Sequence, residues 1–75
     1  MADTARQQRI SVTLNGEQRL VGARNSIAGM LGEIGIDARR VAVERNREIV
    51  PRSTLGEVEV NDGDTFEIVH FVGGG

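Results

Sequence analysis

Only one segment of this chain has apolar residues at the spacing of a helix. Its four apolar residues recur at i, i+3, i+4 and i+7: Ile27, Met30, Leu31 and Ile34. They predict an apolar stripe about 100° wide, with Ser26 as N-cap and Gly35 as the residue that ends the helix. We expect Gly29 and Gly32 on its solvent side. Because a single amphipathic helix covers only one face of a sheet, the other face must meet solvent or a partner.

The N-terminal part of the chain predicts a β-hairpin. Apolar residues alternate strictly along the first strand, at Ile10, Val12 and Leu14. Asn15-Gly16 follows it and favours a type I′ turn, since that turn needs positive φ at both central residues. The pairing that such a turn imposes places Val21 on the inward face of the second strand and Leu20 on the outward face.

The C-terminal half predicts three more strands. In chain order we expect a strand over 41–43, a turn over 44–46, a strand over 48–50, a helical turn or loop over 53–58, a turn over 61–64 and a long strand over 65–72. The whole pattern is that of an α+β domain with two layers. We expect a leader over 1–8, the folded domain over 9–72 and a flexible tail over 73–75.

Composition removes several classes of function. The sequence has no Cys, one His and no motif of a hydrolase, a phosphate-binding loop or a two-histidine metal site. The Asp62-Gly63-Asp64 stretch is expected to form a turn, and His70 to be a partly buried structural residue. We therefore predict no catalytic residue in cis, no metal site and no bound cofactor.

Charge and hydropathy argue against nucleic acid and membranes as partners. Net charge is −2, the nine basic residues are all Arg and are scattered, and Phe66 and Phe71 are the only aromatic residues. Nucleic acid binding calls for a clustered basic surface and stacking platforms, so we do not expect it. No apolar stretch reaches the roughly 20 residues of a membrane span, and no signal peptide is evident. We expect a cytoplasmic protein that binds no membrane.

The chemistry that remains is that of the glycine tail. The chain ends in three glycines, Gly73, Gly74 and Gly75, for which two interpretations are open. They form a frayed end, or they form a tail that enters a narrow channel of a partner, since a chain without Cβ atoms fits such a channel. If Gly75 is the C-terminus, its carboxylate is ionised at neutral pH. Such a carboxylate can attack the α-phosphate of ATP, and a sulfur nucleophile can displace the adenylate to give a thiocarboxylate. A partner enzyme would have to supply the catalysis.

Two stretches resemble a known family. They are Asn46-Arg-Glu-Ile-Val-Pro-Arg52 and Asp62-Gly-Asp-Thr-Phe-Glu-Ile-Val-His-Phe-Val-Gly-Gly-Gly75. Both are similar to the ThiS family, the sulfur carriers of thiamine biosynthesis, and the resemblance runs from about Ile10 to the end. The Ile-Val-Pro-Arg hairpin is the more specific part, since all ubiquitin-like carriers share a terminal Gly-Gly. A third terminal glycine departs from the family's basic pattern, and if Gly75 were removed, Gly74 would carry the reactive group.

The resemblance implies a ubiquitin-like β-grasp fold, with a mixed sheet of four or five strands and the last strand parallel to the first at its centre. It also implies that a ubiquitin-activating-type adenylyltransferase (ThiF-like) consumes ATP to adenylate Gly75. A sulfur donor system would then form the thiocarboxylate, and a thiazole synthase (ThiG-like) would receive the sulfur. Two alternatives stay open: a sulfur carrier for molybdopterin or another metabolite, and a β-grasp interaction module that transfers nothing.

The last strand also predicts where partners bind. Phe66 and Ile68 share one face, which we assign to the core, and Val69 and Phe71 share the other. Val69 and Phe71 then lie on the open face of the sheet beside the tail. Leu20 and Ala42 are possible neighbours across the sheet. We predict that these four residues bind partners.

Overall fold

The computed structural model describes residues 8–71. The predicted tail over 73–75, and the predicted leader apart from Gln8, lie outside the described residues. The five strands are β1 (Arg9–Leu14), β2 (Glu17–Gly22), β3 (Val41–Arg45), β4 (Glu48–Val50) and β5 (Thr65–His70). One α-helix, α1 (Ile27–Glu33), and two 3-10 helices, Ala38–Arg40 and Arg52–Thr54, complete the domain.

The strands form one mixed sheet in the order β2-β1-β5-β3-β4. The last strand, β5, lies at the centre, parallel to β1 and antiparallel to β3. The two hairpins, β1–β2 and β3–β4, form the flanks and are antiparallel. This architecture is the β-grasp, and it confirms the expected α+β class and the expected parallel pairing of the first and last strands.

The helix packs on one face of the sheet and closes the core. The buried core consists of Val12, Leu14, Val21, Ile27, Met30, Leu31, Val41, Val43, Leu55, Val60, Phe66 and Ile68. The inward assignments of Val21, Phe66 and Ile68 are therefore confirmed. Phe66 is fully buried, and burial of a side chain of its size contributes about 1.5–3 kcal/mol to folding. His70 was predicted to be partly buried, but it is exposed, because it occupies the last position of β5 where the sheet ends.

The segment after β4 accepts hydrogen bonds from the free N–H groups at the N-terminus of α1. The Ile27 N–H donates to the Val58 carbonyl at 2.9 Å, and the Ala28 N–H donates to the Leu55 carbonyl at 2.8 Å. Ser26 caps the helix as predicted, since its Oγ accepts from the Gly29 N–H at 3.0 Å. The first free N–H groups of the helix are thus paired within the fold, and the helix is joined to the loop that precedes β5.

The two helix glycines differ in their surroundings. Gly32 is exposed, and a Cβ there would meet open space, as expected for the solvent side. Gly29 is half-buried, and a Cβ there would clash with the side chain of Asn25. The solvent-side prediction is wrong for Gly29, because the loop before the helix folds back over that position.

Both hairpins turn on two residues with positive φ, as type I′ turns require. The values are 50° and 86° at Asn15 and Gly16, and 51° and 72° at Asn46 and Arg47. The second turn was predicted one residue too early, over 44–46. Asn46 occupies the first turn position because its short polar side chain tolerates the left-handed region, and this places Arg45 in β3.

The asparagines of both turns also fix β5 in the sheet. Asn15 Oδ1 accepts from the Ile68 N–H at 2.7 Å, and Asn15 Nδ2 donates to the Ile68 carbonyl at 3.1 Å. On the other side, Asn46 Oδ1 accepts from the Thr65 N–H at 3.0 Å. Each hairpin therefore bonds the central strand through a side-chain amide as well as through its backbone.

Asp64 completes this attachment at the start of β5. It was predicted only as a turn former, but the residue is 6% exposed and its carboxylate accepts three hydrogen bonds. The donors are the Asn61 N–H at 2.8 Å, Arg45 Nε at 3.0 Å and Asn46 Nδ2 at 3.2 Å. Burial raises the pKa of Asp64, but the hydrogen bonds from Asn61, Arg45 and Asn46 outweigh burial and hold the pKa below its ordinary value.

The turn geometry predicts that Arg47→Gly stabilises the domain by about 0.5–1 kcal/mol, because glycine adopts positive φ without the steric cost of a Cβ. Urea unfolding at neutral pH would measure the change. Gly16 occupies the equivalent position of the first hairpin, with open space around it. The reciprocal Gly16→Arg should therefore destabilise the domain, and equal effects of the same sign would contradict the explanation.

The lowered pKa of Asp64 predicts a pH-dependent contribution to stability. A carboxyl with a lowered pKa in the folded state stabilises the fold fully above its ordinary pKa of 3.8, and this stabilisation is lost as the pH falls through the lowered value. Asp64→Asn should cost about 1–3 kcal/mol at pH 7, and the difference from the wild type should shrink in acid. Unfolding curves from neutral pH to about pH 2 would test this, with Glu57→Gln as a control at an exposed carboxylate. A difference that stays constant with pH would contradict it.

Candidate functional site

The predicted site begins where β5 ends. Phe71 is the last described residue, and its N–H donates to the Arg40 carbonyl at 2.9 Å. The chain therefore leaves the sheet beside the start of β3. Gly75, the predicted reactive residue, and Gly73 and Gly74 of the predicted tail lie outside the described residues, so their roles stay predictions.

The open face of the sheet carries the predicted partner-binding residues of β3 and β5. Val69 of β5 is 62% exposed, and Phe71 is 55% exposed, so both are exposed as predicted. The strand expected over 65–72 ends at His70, and Phe71 directly follows it. Ala42 is exposed and pairs directly with Val69. Phe71 follows two residues after Val69 on the same face. The structure thus brings three of the four predicted residues together next to the point where the chain leaves the sheet.

Ile49 belongs to the same surface and was missed. It is 76% exposed, and it pairs with Glu44 on the open face, diagonally from Ala42. The alternation of β3 and β4 about the Asn46-Arg47 turn would have revealed it, but the turn was placed one residue too early. We refer to Ala42, Ile49, Val69 and Phe71 as the apolar patch.

Leu20 lies on the open face but away from the apolar patch. It is 66% exposed and pairs with Ser11 of β1. The parallel register pairs Thr13 with Thr65, so Ser11 is level with the turn that precedes β5. Val69 lies six residues further along, a distance of roughly 20 Å at the rise of a strand. The register does not join Leu20 to the other three residues, and its role in partner binding stays a prediction.

Arg52, the last residue of the Ile-Val-Pro-Arg stretch, contacts the patch from its edge. Its guanidinium carbon lies 5.3 Å from the centroid of the Phe71 ring, within the range of a cation–π interaction. At an exposed position this contact is worth about 0.5–1 kcal/mol and restricts the orientation of the ring. No local pattern could have revealed it, because Arg52 and Phe71 meet only through the tertiary arrangement of β3, β4 and β5.

The surface around the patch is shallow. A groove of about 190 Å³ runs beside the patch, and its lining includes Ala42, Ile49, Pro51, Arg52 and Phe71. A second depression of about 270 Å³ lies near Arg24 and Glu59. Sites for small molecules commonly have about 300–1,000 Å³, so neither depression matches that class. The apolar patch, with a charged edge, is instead of the type that protein partners contact.

Residues 8–71 contain neither a metal-binding cluster nor a membrane-spanning helix. This part of the chain contains no group of three or more His, Cys, Asp or Glu side chains placed to hold a metal ion. Nor does any helix within it have the length and apolar character needed to cross a membrane.

Comparison with known proteins shows relatives of two kinds. The chain is 53% identical over 66 residues to a thiazole synthase of Paramagnetospirillum magneticum, covering 88% of this chain but only 20% of that protein. It is 46% identical over 50 residues to the sulfur carrier protein ThiS of Bacillus subtilis, covering 67% of this chain and 76% of that one. The chain thus spans about a fifth of the length of the first relative and most of the second.

A solved structure and a family model agree with the sequence relatives. The crystal structure of the thiamine biosynthesis protein ThiS of Geobacter metallireducens has a TM-score of 0.74 and 33% sequence identity to this chain. The match covers 88% of this chain and 100% of that one. The family model of ThiS matches residues 5–75, a range that includes the apolar patch and the three terminal glycines. The chain belongs to the ThiS family of sulfur carriers.

Proposed function

We propose that this protein carries sulfur for thiazole formation in thiamine biosynthesis, as a thiocarboxylate on Gly75. The observation that carries the proposal is the family match over residues 5–75, which extends through the glycine tail. The fold adds a physical reason, because the central strand β5 directs the chain out of the sheet beside an exposed apolar patch. A partner that binds the patch would find the tail within reach.

The proposed chemistry takes place on the tail and uses the catalytic groups of partners. A carboxylate oxygen of Gly75 attacks the α-phosphate of ATP, and pyrophosphate leaves. A sulfur nucleophile of the donor system, at the oxidation level of sulfide, then displaces AMP from the acyl adenylate. The C–O bond to AMP breaks as the C–S bond forms, which gives the thiocarboxylate with no change of oxidation state. In this proposal the chain is a co-substrate and not an enzyme, it binds no cofactor, and the sulfur is its covalent cargo.

Two protein partners follow from this chemistry. A ubiquitin-activating-type adenylyltransferase (ThiF-like) activates Gly75, and a thiazole synthase (ThiG-like) accepts the sulfur. The thiazole synthase of Paramagnetospirillum magneticum supports the second, since it contains a segment 53% identical to this chain. We place the exchange in the cytoplasm, and we assign docking of the adenylyltransferase to the apolar patch.

The first test is the mass of the intact protein. Incubation with the adenylyltransferase of the same genome, ATP and a sulfur source should exchange one oxygen for one sulfur, and fragmentation should place the change on Gly75. Gly74→Val should prevent the exchange because a β-branched side chain does not fit a channel shaped for glycine. Its unfolding midpoint should equal that of the wild type, since Gly74 lies beyond the last strand. An unmodified wild-type tail, with a partner active on another carrier, would refute the proposal.

The second test concerns the apolar patch. If Phe71 is an interface anchor, Phe71→Asp should weaken binding to the adenylyltransferase by roughly 2–4 kcal/mol and slow adenylation accordingly. It should lower the free energy of unfolding by less than about 1 kcal/mol. Phe66→Asp should unfold the domain, because it places a charge in the core. Adenylation kinetics and urea unfolding would measure both effects.

Leu20→Asp is the matched control for Phe71→Asp. It introduces the same charge at an exposed apolar residue of the same face, away from the patch. Near-normal adenylation of this variant would confine docking to the apolar patch and would set aside the partner-binding role predicted for Leu20. An equal loss of adenylation in the two variants would contradict docking on the patch alone.

A further inference from the structure

The open face carries two carboxylates that face each other. Glu44 of β3 and Glu67 of β5 are directly paired in the antiparallel register, and both are exposed. Residues in such a pair have Cβ atoms about 4.5–5.5 Å apart, and like charges at this distance destabilise a sheet. The pair is therefore a cost to folding that either substitution to an uncharged residue would remove.

The described part of the chain offers this pair no cation. Among residues 8–71, the ion pairs join Glu33 to Arg9, Asp37 to Arg39 and Arg40, and Asp64 to Arg45. None of them includes Glu44 or Glu67, although the chain has nine Arg residues. Other exposed carboxylates are also unpaired, but Glu44 and Glu67 stand opposite each other on a sheet.

The pair borders the apolar patch. Ile49 is the cross-strand neighbour of Glu44 on its other side, so Ile49, Glu44 and Glu67 form one row across β4, β3 and β5. Ala42 and Val69 form the next row, about 7 Å away along the strands. Positive charge lies at the far end of the patch, where the Arg52 guanidinium stacks on Phe71. The surface therefore has an acidic end, an apolar centre and a basic end.

We propose that Glu44 and Glu67 together bind a basic side chain of the adenylating partner, an arginine by preference, while the apolar patch contacts the surface around it. A guanidinium presents several N–H donors in a rigid fork, so it can bond both carboxylates and relieve their repulsion. The opposite charges at the two ends of the surface then fix the orientation in which the partner docks, with the tail directed to its active site. The inference rests on the proposed function, since it names the chemistry of the partner at the same surface.

The test compares Glu44→Gln/Glu67→Gln with Glu57→Gln/Glu59→Gln, a control with the same change of net charge at exposed positions outside the open face. Binding of each protein to the purified adenylyltransferase of the same genome is measured at ionic strengths of about 0.01 M and about 0.15 M. The first variant should bind about tenfold or more weakly than the wild type and show a smaller salt dependence. Its unfolding midpoint should equal or exceed that of the wild type. The control should bind like the wild type.

Any of the following results would overturn the inference: equal binding by the wild type and the first variant, equal weakening in both variants, or a loss of stability in the first variant that matches its loss of binding. Self-association of the wild type that the first variant lacks would assign the face to a second copy, and so would overturn it as well. At saturating partner, the first variant should still acquire sulfur. A wild-type chain that binds through the pair but never acquires sulfur would refute the proposed function and leave this inference standing.

Discussion

The fold depends on the position of β5 between the two hairpins β1–β2 and β3–β4, which precede it in the sequence. Its parallel pairing with β1 is short, with Thr13 opposite Thr65 and Leu14 opposite Phe66, and it joins residues about 50 positions apart. The chain entropy lost in closing such a loop must be offset locally. The side-chain bonds of Asn15, Asn46 and Asp64 to β5 and its preceding turn supply part of that offset, because they add hydrogen bonds where the backbone ladder is short.

The position of β5 also determines the geometry of the functional surface. Because β5 is central, its inward residues Phe66 and Ile68 form the middle of the core, and its outward residue Val69 lies in the middle of the open face. Because β5 is the last strand of the described residues, the described chain leaves the sheet next to this face, at Phe71. The exposed face of β5 and the point where the described chain leaves the sheet are thus two consequences of one strand placement, which is the arrangement that the proposed function requires.

The open face keeps features that a sheet optimised for stability alone would lack. Ile49 is largely exposed, and Glu44 faces Glu67 across neighbouring strands. In a small domain whose described residues form one α-helix and one core, both features reduce a modest margin of stability. Residues that are unfavourable for stability are expected where a surface binds a partner, since function and stability favour different residues there.

Local patterns in the sequence determined the elements and their inward faces. Helical spacing identified the stripe of α1, Asn15-Gly16 identified the first turn, and alternation assigned Phe66 inward and Phe71 outward, because these signals extend over a few residues only. The expected pairing of the first and last strands came from family resemblance and not from any local pattern. Tertiary structure alone decided that Asp64 is buried, that Arg52 stacks on Phe71 and that Leu20 lies away from Val69. Each of these depends on the register between strands distant in the chain, and that register is set by contacts that no short stretch of sequence contains.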